Sequence, residues 1–422
     1  MAKQVPFIAL GIAAGAALTL LATQLPITAT DAAAKSSVHA EEYRVLELFD
    51  DAFEQVRQNY VERPDDKKLI ENAINGMVAG LGDSFYLDTK SASHMVVCTA
   101  TSGCPFADVG LRFTIADNLP KVITAIDDSP AAKAGLMTGD VIASIDDQPL
   151  DDLTAYQVSQ KLNGEMGSTV HLTIARPGRD KPLDISMVRD HTTVRSVRSQ
   201  VQGGDIGYIR VVQFNENTGD ELKKAMDGIA SGIPPEKLKG YVVDLRNNPG
   251  GVLDGAIAAS DAFLDGGDIV SIGGRNAGNA KHIRVKGSNL SNGKPVVVLI
   301  NAGSAATAEV VAGALQDNHR ATLIGTRTFG AGSVLTETPL GHGQGVLRLA
   351  TEQYFTPSGH AIETKGISPD IEVTQDLPDN LKPSAKSVSG KKPDLQSYIP
   401  SDPNADKALN RAYAELRGTH AN

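Results

Sequence analysis

The spacing of apolar residues changes several times along the chain. The run 5–22 is almost wholly apolar, with Lys3 before it and no charge until Asp31. Residues 31–40 are small and polar and read as a linker. From Ala40, apolar positions recur three and four residues apart, at Tyr43, Leu46, Leu48, Phe49, Phe53 and Val56, the period of a helix with one apolar face. A second helix is predicted over 65–81, with Leu69, Ile70, Ala73, Ile74 and Met77 on one side and Gly80 and Gly82 ending it.

Between 108 and 187 the pattern shortens to strands separated by turns. Strands are predicted at 122–126, 141–145 and 170–174, with turns at Asp146-Asp147-Gln148-Pro149 and Arg176-Pro177-Gly178 and a helix over 156–162. From 206 strands alternate with helices. Strands at 206–211, 240–245 and 296–300 frame helices at 218–229 and 305–316, which implies mixed or parallel pairing. The stretch 376–401 is rich in Pro, Lys and Ser and reads as loose, with a last helix over 404–418. The pattern therefore predicts an α+β fold: an N-terminal helical region at 40–95, a β-rich module at 96–190, a mixed-sheet α/β core at 191–375 and a tail at 376–422.

Composition narrows the function. A chain of 422 residues has room for two or three domains, and its 41% hydrophobic and 21% charged content is that of a globular protein. A net charge of -10 argues against a nucleic-acid partner. Lys3 before the apolar run, with Ala32, Ala33 and Ala34 after it, makes residues 1–34 either a cleaved export signal or an uncleaved membrane anchor. Both place the rest outside the cytoplasm, in the periplasm or anchored to the membrane facing it. Cys98 and Cys104 are then candidates for a short-loop disulfide, two unpaired thiols being the alternative. With no histidine close by they make a poor metal site, and neither metal nor cofactor is expected.

The segment Ser129-Pro130-Ala131-Ala132-Lys133-Ala134-Gly135-Leu136, running on through Gly139-Asp140-Val141-Ile142, resembles the centre of a PDZ domain. Gly110, Leu111, Arg112 and Phe113, after Val109, resemble its carboxylate-binding loop. In such a loop backbone N–H groups beside a glycine hold a terminal carboxylate while the peptide adds as a strand to the sheet edge. Arg112 would add charge, or stay solvated.

The flanking sequence resembles the carboxyl-terminal processing peptidases, or tail-specific proteases, over roughly residues 41–372. The marks are Gly207-Tyr208-Ile209-Arg210, Asp244-Leu245-Arg246-Asn247-Asn248-Pro249-Gly250-Gly251, Ala308-Glu309-Val310-Val311, Tyr354-Phe355-Thr356-Pro357-Ser358-Gly359 and Gly366-Ile367-Ser368-Pro369-Asp370. In that family of serine-type peptidases a serine attacks the scissile carbonyl, a lysine of lowered pKa is its base, and a glutamine supports the lysine. Carried over residue by residue, the serine position is Ala306, the lysine position Ala331 and the glutamine position Leu335. Methyl groups supply neither nucleophile nor base. Backbone groups of Gly250, Gly251 and Thr307 are candidates for the oxyanion site, though the glycines equally suit a tight strand-to-helix turn.

Ser304, Thr307 and Ser333 neighbour the vacated positions, and His319 lies further on, but none matches a catalytic position. The resemblance therefore implies a pseudopeptidase: a non-catalytic protein that binds protein C-termini or unfolded polypeptides as an adaptor or regulator. Three alternatives stay open. One is an active endopeptidase with a relocated nucleophile. Another is an active parent carrying inactivating substitutions, against which Leu335 and Ala305-Ala306-Thr307 count. The third is a structural subunit that forms homo-oligomers or pairs with an active relative.

Overall fold

The computed structural model describes residues 29–94, 107–151, 153–190, 195–275, 280–378, 381 and 397–419. The apolar run 5–22 and both cysteines lie outside these, so the signal and disulfide expectations concern residues beyond the description. Among the described residues no helix is long and apolar enough to cross a membrane. The chain divides into two units, Met1–Ala73 and Ile74–Asn422.

The first unit contains α1 (Ala29–Asn59). Residues 31–40, expected as a linker, are helical throughout, because their Ala and Lys residues favour a helix although they carry no apolar stripe. The apolar face predicted from Tyr43 is present, but Tyr43, Leu46 and Leu48 are exposed rather than buried. Near its end Arg57 pairs with Glu54 and with Asp66, at 3.0 and 3.3 Å. Asp66 opens α2 (Asp66–Ala79), which crosses the unit boundary.

In the second unit, a short strand β1 (Phe85–Leu87) precedes an inserted β-rich module. Its strands are β2 (Leu111–Ala116), β3 (Leu119–Ala125), β4 (Val141–Ile145), β5 (Gln148–Pro149), β6 (Thr169–Ala175) and β7 (Leu183–Val188), ordered β2-β3-β4-β6-β7 with β5 on β4. The first helical turn of this module, α3 (Pro130–Lys133), is capped by the Ser129 hydroxyl. Its longer helix, α4 (Ala155–Leu162), starts with a capping box in which Thr154 and Gln157 satisfy each other's orphan backbone groups. Leu111, Val122, Ile142, Val158, Leu162 and Val170 close one apolar core between helix and sheet.

The larger core is a six-stranded sheet of β8 (Val197–Gln202), β9 (Ile206–Val211), β10 (Gly240–Asp244), β11 (Val296–Ile300), β12 (Ala321–Gly325) and β13 (Ile371–Glu372). All neighbours are parallel except β8 and β9. Every residue of β10 and β11 is buried, which is why β11 reads as an unbroken apolar run and β10 as one up to its terminal Asp244. The two faces take alternate residues. Tyr241, Val243, Val296 and Val298 share one apolar cluster with α5 (Thr218–Gly232), α6 (Leu253–Asp261) and α7 (Thr307–Asp317). Val242, Val297 and Leu299 meet Ala408, Leu409 and Ala412 of α8 (Lys407–Arg417) on the other. The last helix, expected over 404–418, is α8, and it packs into the core with a stripe made mostly of alanine. A further sheet joins β1 to β14 (Val346–Phe355), which also pairs with β15 (Asp268–Gly274) and β16 (Ser333–Pro339).

Candidate functional site

The carboxyl ends of adjacent parallel strands β10 and β11 emit two turns, at 245–252 and 301–306, where open α/β sheets commonly place a ligand. The turns are laced together. Asn247 N–H donates to Asn301 Oδ1 at 2.8 Å, Asn301 Nδ2 to Asn247 Oδ1 at 2.9 Å, and Ala305 N–H to Asn248 O at 2.9 Å. Their approach leaves no room for a side chain at Gly250, where a Cβ would stand 2.8 Å from both Ala306 Cβ and Thr307 N. At Gly251 (φ 137°) it would stand 2.0 Å from Phe214 O.

Ala306 is the residue before α7, with φ 51° and ψ -119°. That is a sparsely populated conformation for a residue with a Cβ and costs about 1–3 kcal/mol. The helix, expected from 305, begins at Thr307 because Ala306 turns away from helical dihedrals.

What holds this turn is Glu309, which is fully buried. Its Oε2 accepts from Ala306 N at 2.9 Å and from Ala331 N at 2.9 Å. Its Oε1 accepts from Gly330 N at 2.8 Å and from the Thr328 hydroxyl. One carboxylate therefore ties the serine position to the lysine position. Burial pushes the Glu309 carboxyl up to about 7, against the four donors that favour its ionised form. Leu335 is half-buried on β16 opposite Ala350, just past a bulge after Val334.

The neighbouring hydroxyls are committed elsewhere. Ser304 is fully buried; its Oγ donates to Leu245 O at 2.7 Å and accepts from Asn301 N at 3.0 Å. Thr307 Oγ1 leans toward Gly251 O at 3.4 Å, and Ser333 is set in β16 opposite Gln353. His319 follows the far end of α7, roughly 16 Å away at 1.5 Å per residue. An Asp317, Ser358 and His360 cluster, not singled out in the sequence, has its carboxylate on the serine: Ser358 Oγ lies 2.6 Å from Asp317 Oδ2 and 2.8 Å from His360 Nδ1. A hydroxyl proton held by a carboxylate does not activate a nucleophile through the histidine.

Of the three backbone donors proposed from sequence, Gly250 N–H is spent on Asn248 Oδ1 at 2.8 Å. Gly251 and Thr307 N–H have no acceptor among the described residues and remain available for an oxyanion.

A buried charge chain, also missed from sequence, joins the module to the core. Arg210 forks onto Asp127 with two bonds of 2.9 Å and reaches Asp244 O at 3.2 Å. Arg246 bonds Asp244 at 2.6 Å and Asp406, the N-cap of α8, at 2.9 Å. The Tyr208 hydroxyl donates to Asp244 at 2.8 Å, and desolvation raises its pKa. Burial alone would raise Asp244; the Arg246 and Arg210 charges outweigh it and bring its carboxyl to about 2. These residues line a cavity of about 710 Å³ between module, core and the 397–401 segment.

In the module, β2 is an edge strand that pairs only with β3 among the described residues. Ile126 N–H donates to Gly110 O at 2.8 Å, so by antiparallel alternation Leu111 turns its backbone groups away from β3. Gly110 (φ 68°) makes that turn, and its own N–H is taken by Asp108 Oδ1 at 2.9 Å. Phe113 lies partly buried against the module's core. Arg112 is exposed, donates to Leu111 O at 3.1 Å and stands 3.7 Å from Asp108.

Profile comparisons match residues 205–373 to peptidase family S41, 107–187 to a PDZ domain and 12–91 to the activating protease CtpB N-terminal domain. A carboxy-terminal-processing protease of Bartonella bacilliformis is 44% identical over 438 residues, covering 100% of this chain and 98% of that one. The carboxy-terminal processing protease CtpA of Bacillus subtilis is 32% identical over 334 residues, covering 78% and 69%. Among solved structures, a photosystem II D1 C-terminal processing protease superposes with a TM-score of 0.64 at 26% identity, covering 76% of this chain and 86% of that one.

Proposed function

Since the chain belongs to the carboxy-terminal processing proteases of peptidase family S41 and carries a PDZ domain, we propose that it is a member without peptidase chemistry. On this reading it binds protein C-termini through the PDZ domain and acts as an adaptor or regulator outside the cytoplasm. The observation that carries it is the pair of methyl side chains at Ala306 and Ala331, clamped by one buried carboxylate. Neither position offers a nucleophile or a base, and Ser304, a buried hydroxyl two residues before Ala306, has both its donor and its acceptor roles filled. Loss of the nucleophile from such a unit costs on the order of a millionfold in rate. The apolar run 5–22 supports the placement outside the cytoplasm.

One observation favours a second reading, a peptidase silenced by substitution. Ala306 keeps its strained backbone and Gly251 and Thr307 keep free donors, as a nucleophile turn requires. Cleavage by the native chain tests the first reading, and restoring the substituted side chains separates the two. The purified protein should not cleave unfolded or apolar-tailed substrates, and turnover above buffer that persists after removing contaminating proteases would overturn the proposal. Ala306→Ser with Ala331→Lys should stay well below a full peptidase, with Leu335→Gln added as the third change. Full activity from the first two alone would favour the silenced peptidase.

A further inference from the structure

The outer edge of β2 is not open along its whole length. Outward backbone groups recur at Leu111, Phe113 and Ile115, as the register with β3 requires. At the last of these, Ile115 N–H donates to Asp83 Oδ1 at 3.1 Å, and the Thr114 hydroxyl donates to the same oxygen at 2.7 Å. Two residues on, the Phe85 ring stacks on Tyr156 in the first turn of α4, with centroids 6.1 Å apart and planes 25° apart. Phe85 is buried, covered on another side by the Arg348 guanidinium 5.6 Å from its centroid.

The direction of α4 shows which end of the groove this is. Ala107, ahead of β2, exchanges two backbone bonds of 3.2 and 3.1 Å with Gly164, just beyond α4. The end of α4 therefore lies beside the start of β2, where Gly110 and Leu111 would receive a carboxylate. Tyr156 and Ile115 lie at the opposite end. A peptide entering antiparallel to β2 with its carboxylate at Leu111 pairs its third residue from the end with Phe113. Its fifth would need the Ile115 N–H that Asp83 holds.

We propose that Asp83 and Phe85 are a built-in cap on the upstream end of the groove, so that the domain takes only about the last four residues of a free protein C-terminus. This rests on the C-terminus-binding reading above. It makes Asp83 a specificity-determining residue: sequence upstream of those four residues is not read. Because β1 continues directly from Phe85 and pairs with β14 in the register Phe85↔Arg348, the cap is anchored by the core and not by the domain it closes.

Calorimetry on the full chain tests it with an apolar-tailed decapeptide, its C-terminal tetrapeptide and the amidated decapeptide. The acid decapeptide and tetrapeptide should bind within twofold of each other, and the amide at least tenfold more weakly. Asp83→Ala should raise decapeptide affinity about fivefold or more and leave the tetrapeptide unchanged, while Asp83→Asn, which keeps an acceptor, should behave as the native chain. A decapeptide that binds the native chain fivefold or more above the tetrapeptide overturns the cap, and this comparison needs no variant. So does an Asp83→Ala chain whose two affinities stay equal. If acid and amide bind alike, or neither binds at millimolar concentration, the C-terminus-binding reading itself fails and the cap falls with it.

Discussion

The Glu309 clamp makes a prediction with a definite sign. In the unfolded chain its carboxyl titrates near its ordinary 4.5, and in the fold burial raises it to about 7. Between these values the folded state holds a proton that the unfolded state has lost. The clamp's contribution is therefore fully present below about pH 4.5 and is lost as pH rises through 7. At about 1.36 kcal/mol per pH unit, the gap makes about 3 kcal/mol. Other groups titrate over the same range, so the comparison is with Glu309→Gln, which has no proton to lose. That variant carries its own penalty: an amide must turn its NH2 toward two of the four donors, at about 1–3 kcal/mol for each one left without an acceptor. The penalty does not vary with pH. Urea unfolding at intervals from pH 4.5 to 8 should thus show the native chain losing about 3 kcal/mol relative to Glu309→Gln. Parallel curves would refute the reasoning. A native chain that gains on the variant as pH rises would show that the donors from Ala306, Gly330, Ala331 and Thr328 outweigh desolvation.

Three further outcomes are expected. Arg210→Ala leaves Asp127 and the buried Asp244 short of a partner, and chemical denaturation should register a loss of about 3–5 kcal/mol. Gly250→Ala forces a Cβ to within 2.8 Å of Ala306 Cβ at φ 91° and should lower stability by about 1–3 kcal/mol in the same assay; an unchanged midpoint would mean the two turns can separate freely. On the proposal that Cys98 and Cys104 form a short-loop disulfide, worth about 2 kcal/mol, thiol titration of the denatured, unreduced protein should find no free thiol; two titratable thiols would refute that.

Much of the fold was legible in the residues themselves. The mostly apolar runs at 206–211, 240–245 and 296–300 became β9, β10 and β11 within a residue, because strands buried on both faces are mostly apolar along their length, Arg210 and Asp244 excepted. The helices at 156–162 and 218–229 carried a cap or an apolar stripe and appear close to where those signals put them. The side chains at Ala306, Ala331 and Leu335, on which the proposed absence of peptidase chemistry rests, were readable too, since residue type needs no neighbours.

Tertiary structure decided the rest, because it depends on which distant segments meet. Nothing in Ala308-Glu309-Val310 says that its carboxylate will collect N–H groups from residues 306, 330 and 331; that follows from the 328–331 loop meeting the start of α7. Asp83 sits in a Gly-Asp-Ser turn that reads as solvent-facing, and only the docking of β1 on β14 brings it to the edge of β2. The alanines of α8 look too small to mark a core helix until the sheet behind them supplies Val242, Val297 and Leu299. The sequence by itself determined the family and most of the elements, since periodicity and residue type are local. The clamp, the charge chain and the capped groove were decided by tertiary structure, since each is a contact between segments far apart in the chain.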